Sequence, residues 1–89
     1  MLEREVTISN KLGLHARASA KLVQLLQGFK CSAFLIFRGR EVNAKSIMGV
    51  MMLAAGLGSV VEIEVTGADE QTALNALTAL INDKFGEGE

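Results

Sequence analysis

The chain has 89 residues, 49% of them hydrophobic and 21% charged, with a formal net charge of −1 and a mean hydropathy of +0.31. Near-neutral charge, with four phenylalanines as the only aromatic residues, argues against a nucleic-acid surface. One cysteine, Cys31, excludes an internal disulfide and fits a reducing cytoplasm, while one histidine with one cysteine offers no ligand cluster for a structural metal. Behind Met1-Leu2-Glu3-Arg4-Glu5 there is no apolar signal core. The longest uncharged stretch, Ser46 to Val61, is broken by Gly49, Gly56 and Gly58 and falls short of the ~20 apolar residues of a membrane span. A single cytoplasmic domain over residues 1–89 is the expectation, monomeric and without membrane insertion or cofactor.

In chain order, Glu5 to Ile8 alternates polar and apolar as a half-buried strand does. A helix is predicted over Ala16 to Gln27 from its alanines and leucines, closed by Gly28 in the left-handed conformation. Ser32 to Phe37 is strongly β-prone, and Arg38-Gly39-Arg40 turns it into a short strand over Glu41 to Asn43. Within Ser32–Phe37, Ala33, Leu35 and Phe37 share one face and Phe34 and Ile36 the other, so some apolar surface is expected to stay exposed. Ser46 is placed to cap a short helix over Ile47 to Leu53. A last strand, Val60 to Val65, turns Val61, Ile63 and Val65 inward and Glu62 and Glu64 outward. Asp69 is the expected cap of the final helix, with Glu70 in its first turn and Ala73, Leu74, Leu77, Leu80 and Ile81 as its apolar stripe. Gly86-Glu87-Gly88-Glu89 reads as a tail that frays. The order β-α-β-β-α-β-α, with alternating outer strands, implies an α+β fold: an antiparallel sheet with one wet face and three helices on the other.

Chemistry concentrates in Gly13-Leu14-His15-Ala16-Arg17. A glycine-bearing turn puts the only histidine at or beside the cap of the first helix, two positions before an arginine. The N–H groups of Ala16 and Arg17 and the helix dipole favour an anion there, and imidazole is a nucleophile. Those features suit holding a phosphoryl group on nitrogen, with Arg17 as a movable countercharge. Serine-type hydrolysis is a poor alternative, because there is no second histidine and Ser19 falls about a turn inside the helix.

Asn10-Lys11-Leu12-Gly13-Leu14-His15-Ala16-Arg17-Ala18-Ser19-Ala20 resembles the active-site segment of the histidine-containing phosphocarrier (HPr) family. Ala44-Lys45-Ser46-Ile47-Met48-Gly49-Val50-Met51-Met52-Leu53 resembles the family's serine-site segment, at the matching separation. The resemblance spans essentially the whole chain and implies a four-stranded open-faced sandwich and a carrier in the phosphoenolpyruvate-dependent phosphotransferase system. It also implies that enzyme I phosphorylates His15 on Nδ1, that the group passes to an enzyme IIA, and that an HPr serine kinase/phosphorylase modifies Ser46. The chain is thus a phosphoryl-carrier component rather than an enzyme with turnover of its own. Most relatives have proline where this chain has Ala18, so the first helical turn starts less pre-set, with one extra N–H. The Asn10–His15 segment and Phe85-Gly86-Glu87 lean toward nitrogen-type carriers (NPr), whereas Lys45 to Met52 looks like serine-regulated ones.

Ile47, Met48, Met51 and Met52 make the second helix apolar nearly all round, more than one sheet face can bury. With Ala20 they are the expected docking surface: position 47 or 48 as the exposed knob, Met51 and Met52 shared between core and rim. Flexible methionines suit a surface that meets several partners. The alternative is a regulatory relative that acts through phosphorylated Ser46 without relaying phosphoryl groups, and intact His15 and Arg17 count against it.

Overall fold

The computed structural model describes residues 1–87. Its elements are β1 (Leu2–Thr7), α1 (Ala16–Gln27), β2 (Ser32–Phe37), β3 (Arg40–Asn43), α2 (Ile47–Met52), β4 (Val60–Thr66) and α3 (Glu70–Asn82), followed by a 3-10 turn at Lys84–Gly86. The strands form one antiparallel sheet in the order β1-β4-β2-β3. β4 is central because its alternation is the most regular, with Val61, Ile63 and Val65 buried. Pairing with β4 from Thr7 opposite Val60 to Leu2 opposite Val65 starts β1 three residues earlier than its own alternation predicts.

All three helices lie on one face, as expected. Leu22 and Leu26 of α1 and Leu77 and Ile81 of α3 join Leu35 and Ile63 of the sheet in the core, each almost completely buried. Leu80 packs only at its margin. On the open face Phe34 and Ile36 are half-buried beside Glu64 and Glu62, so the apolar excess of β2 is partly covered by the cross-strand glutamates. Phe37, at the strand's end, is also half-buried, with the Arg38 guanidinium 5.0 Å from its ring centroid.

Two helix ends differ from the sequence expectation. Gly28 is right-handed (φ −77°, ψ −3°), not left-handed, because its N–H and that of Phe29 bond back to Leu25 and Leu26 and tighten the last turn. Asp69 stands at the cap of α3, yet its side chain does not cap it. Its carboxylate instead accepts from the backbone N–H groups of Lys30 (2.7 Å) and Cys31 (2.9 Å), tying α3 to the start of β2. Glu70 reaches back to the N–H of Gly67 (3.2 Å) and pairs with the N-terminal ammonium (3.3 Å). The tertiary donors outcompeted the local cap.

The backbone bond from Lys30, with those from Cys31, holds the Asp69 carboxyl below the usual carboxylate range against a smaller opposing effect of burial. A lowered native value means the fold favours the ionised form, so this stabilisation is full above the ordinary carboxylate range and is lost as pH falls through the lowered value. Asp69→Asn should therefore be less stable than the parent at pH 7, and the gap should narrow as pH drops toward 3. Urea unfolding midpoints at both pH values check this; a gap that stays constant with pH contradicts it.

Candidate functional site

The site begins with a backbone contact. Asn10 to Gly13 forms a turn (Gly13 N–H to Asn10 carbonyl, 3.2 Å), and Gly13 lies in the left-handed region at φ +65°. A Cβ on Gly13 would sit 2.4 Å from the Ala55 carbonyl oxygen and 2.6 Å from Gly56 Cα, so only glycine lets the two backbones meet. The next residue locks the contact, with Leu14 N–H donating to the Ala55 carbonyl at 2.9 Å. His15 then stands at the N-cap of α1 with extended backbone (φ −74°, ψ −179°), and its ring makes no cap bond. The N–H groups of Ala16, Arg17 and Ala18 precede the first intrahelical bond, which runs from Ser19 N–H to the His15 carbonyl. Ser19 is fully buried and its hydroxyl donates to the Leu14 carbonyl (3.1 Å), so it bonds within the helix start rather than facing the site.

His15 Nε2 is 2.6 Å from Glu87 Oε2, and the histidine side chain keeps about a quarter of its surface exposed (26%). An ionised carboxylate only accepts, so Nε2 carries a proton, and in the neutral ring Nδ1 keeps the lone pair. The other Glu87 oxygen accepts from Asn10 Nδ2 (3.1 Å), and the same Nδ2 donates to the Gly13 carbonyl (2.8 Å). Asn10 is completely buried, and two acceptors at one end of its amide fix which atom is nitrogen. Burial pushes the Glu87 carboxyl up, but the bonds from Asn10 and His15, with the nearby Lys21 charge, hold it below the usual carboxylate range. Leu12, His15, Ala16, Arg17, Lys21 and Glu87 surround an open depression at this helix mouth.

The sequence reading missed Glu87, Asn10 and Lys21. It treated Gly86 and Glu87 as a fraying tail, whereas the structure packs this segment down. Phe85 is fully buried, its carbonyl accepts from Lys21 Nζ (2.6 Å), and Glu87 bonds to the site. The expectation for Gly88 and Glu89 lies outside the described residues. A lone aromatic just after an amphipathic helix was the available signal, since a phenylalanine in a free tail has nothing to bury it.

Of the other site candidates, Ala16 and Arg17 are exposed and Ala20 is half-buried. Ser46 caps α2, its hydroxyl accepting from Gly49 N–H at 3.1 Å. Ile47 (42%), Met48 (68%), Met51 (38%) and Met52 (58%) are all exposed. Met51 and Met52 therefore do not share in the core; Val50 alone of α2 fills that role, because a six-residue helix turns only one narrow stripe inward. Leu12, 66% exposed, lies beside the helix mouth and was not singled out from the sequence.

A family model described as the phosphotransferase-system (PTS) HPr component phosphorylation site matches residues 2–83. The chain belongs to the HPr phosphocarrier family of the phosphotransferase system. It is 63% identical over all 89 residues, covering the whole of both chains, to a phosphocarrier protein HPr of Cupriavidus necator. An NPr of Shewanella violacea is 42% identical, over 97% of this chain and 94% of that one. The lean toward the nitrogen type is thus not supported. The solved HPr of Thermoanaerobacter tengcongensis superimposes with a TM-score of 0.94 at 45% identity, covering 98% of each chain. The four-stranded open-faced sandwich is therefore the HPr fold. No helix among the described residues is long and apolar enough to cross a membrane.

Gly13→Ala should cost about 2–4 kcal/mol, combining a backbone clash with left-handed strain. Gly39→Ala, at φ +78° with nothing within 4 Å of the added Cβ, should cost only about 1–2 kcal/mol. Chemical denaturation of both variants measures the difference; equal losses would mean the loop at Ala55–Gly56 yields freely.

Proposed function

We propose that His15 is the phosphoryl acceptor, taking the group from enzyme I on Nδ1 and passing it to a histidine of an enzyme IIA domain. The observation that supports this most directly is the Nε2 contact with Glu87, because it leaves Nδ1 as the nucleophilic nitrogen at a helix mouth. Amides of Ala16 and Arg17 supply oriented donors for the phosphoryl oxygens, and the exposed Arg17 guanidinium supplies a charge able to swing toward them. Transfer between two histidines is chiefly positioning and electrostatics, since the phosphoryl transition state asks little covalent help. The whole of residues 1–89 acts as one carrier domain, working in the cytoplasm as a monomer.

Met48, Ile47, Met51, Met52 and Ala20 form the docking surface in this reading. The structural support is the exposure of the four α2 residues beside α1, the helix that carries the half-buried Ala20. A carrier must meet a donor and several acceptors in turn, and unbranched methionines adapt to each. Ser46 is the regulatory phosphorylation site. Its hydroxyl already sits at a helix N-cap, where a phosphate is electrostatically tolerated, so modification alters the docking face without unfolding α2.

Incubation with enzyme I and labelled phosphoenolpyruvate should load one acid-labile, alkali-stable phosphoryl group, and His15→Ala should abolish it; equal loading of the variant refutes the carrier reading. Arg17→Ala should keep the fold and slow transfer by roughly one to three orders of magnitude, as when a charge-stabilising donor is removed. Unaffected transfer would leave Arg17 a solvated helix residue.

Ser46→Asp should accept from enzyme I more slowly than Ser46→Ala, because a charge on the docking face opposes an acidic partner surface. Ser46→Ala should lose roughly 0.5–2 kcal/mol with its cap while accepting nearly normally. Equal acceptor kinetics for the two variants would make Ser46 a cap only.

A further inference from the structure

We propose that Glu87 is a positioning residue for transfer at His15: its carboxylate holds the Nε2 proton, aims Nδ1 outward, and balances the charge the ring gains on phosphorylation. The inference rests on the carrier reading above and adds a residue that the site motif around His15 does not contain. Glu87 lies 72 residues away in sequence, and its side chain is 12% exposed where it meets the ring. Both its oxygens are committed, one to His15 and one to the fully buried Asn10, so the carboxylate cannot swing away without breaking two bonds.

The segment that carries Glu87 is itself built to hold still. Lys84 (φ 54°) and Phe85 (φ 55°) are both left-handed, a conformation that costs a bulky side chain energy. It is maintained by burial of the Phe85 ring, by Lys21 Nζ on the Phe85 carbonyl, and by backbone bonds from Gly86 to Asp83 and from Glu87 to Lys84. That strained backbone delivers the Glu87 carboxylate to His15 and Asn10, the two side chains it bonds among the described residues.

The chemistry follows from the proton's place. With hydrogen on Nε2, the Nδ1 lone pair attacks phosphorus. The bond from phosphorus to the donor nitrogen breaks, and its electron pair returns to the donor imidazole. The Nε2 proton stays, so the ring becomes a phosphorylated imidazolium with one more positive charge, 2.6 Å from a carboxylate already in place. On the second transfer the Nδ1–phosphorus pair returns to the ring and neutrality is restored. Glu87 thus favours the charged carrier state without touching the phosphoryl oxygens, consistent with its contact being to the far nitrogen.

Two variants separate orientation from charge. E87A removes acceptor and charge; E87Q keeps an acceptor oxygen and loses the charge. Two-bond proton–nitrogen spectra of the unphosphorylated proteins report the ring tautomer. The pH profile of phosphoryl hydrolysis, after loading by enzyme I and phosphoenolpyruvate, reports the charged ring. The parent should show the Nε2–H tautomer and E87A a mixture, while E87Q, with one acceptor oxygen for two donors, is read for charge alone. Both variants should move the hydrolysis midpoint down by about one pH unit, the effect of losing one close opposite charge. Transfer should slow about tenfold or more in E87A. E87A matching the parent in either tautomer or midpoint, or E87Q matching it in midpoint, overturns the proposal. A parent chain that takes no phosphoryl group ends the carrier reading instead, and the tautomer comparison still decides whether Glu87 holds the ring.

Discussion

The backbone of Gly13 lies so close to Ala55 and Gly56 that no side chain fits between them, and this contact decides where α1 begins. One residue later the Leu14 N–H closes on Ala55, and two residues later His15 caps the helix. From Ala18 inward the helix is committed to the core, with Ala18, Ser19 and Leu22 all fully buried. The candidate site is therefore confined to the short stretch from Asn10 to Arg17. Its position is fixed from behind by burial and from the side by the 55–56 loop. A histidine mounted this way has its direction set by the fold, which is what the proposed transfer, governed by positioning, would require.

Charge is divided between two faces. On the open sheet face Glu3 stands opposite Glu64, and Glu5 opposite Glu62. The bond between Glu3 and Glu62, then burial and the repulsion of the neighbouring carboxylates, push the Glu62 carboxyl above its ordinary range. Around the helix mouth, by contrast, Arg17 and Lys21 and the free end of the α1 dipole outweigh the single carboxylate of Glu87. An anionic phosphoryl group meets repulsion on one side of the molecule and attraction on the other. A net charge of −1 conceals this separation, since it averages a basic mouth with an acidic sheet.

Local pattern carried most of the fold into view, and long-range contacts account for what it hid. α1, β2 and the Ser46 cap follow from spacing, propensity and a serine before an apolar run, all readable within a few residues. His15 was legible for the same reason: cap, glycine turn and arginine lie within five positions. Asp69 was assigned to the nearest helix because its donors, Lys30 and Cys31, are 39 and 38 residues away. Glu87 was set aside as tail because nothing near it in sequence announces His15. Met51 and Met52 were given half a core role because hydrophobicity alone does not say that a six-residue helix has room for Val50 only.

The placement of the apolar residues of α2 follows from the same shortage of room. Helix α1 needs a neighbour on its flank, and α2 meets it there. Being short, α2 gives up Val50 to the core and leaves four large side chains in water on the flank of α1. A domain this small has few ways to hide apolar surface, and a core choice would have placed leucine there. Methionine loses more side-chain entropy on being fixed than leucine does, so leaving it unfixed costs the fold little. The surface around the site is thus apolar enough to be covered by a partner and loose enough not to prefer one shape. On the same helix flank stands a histidine whose own ring is held by Glu87: adaptability lies in the apolar residues of α2, and precision at the ring.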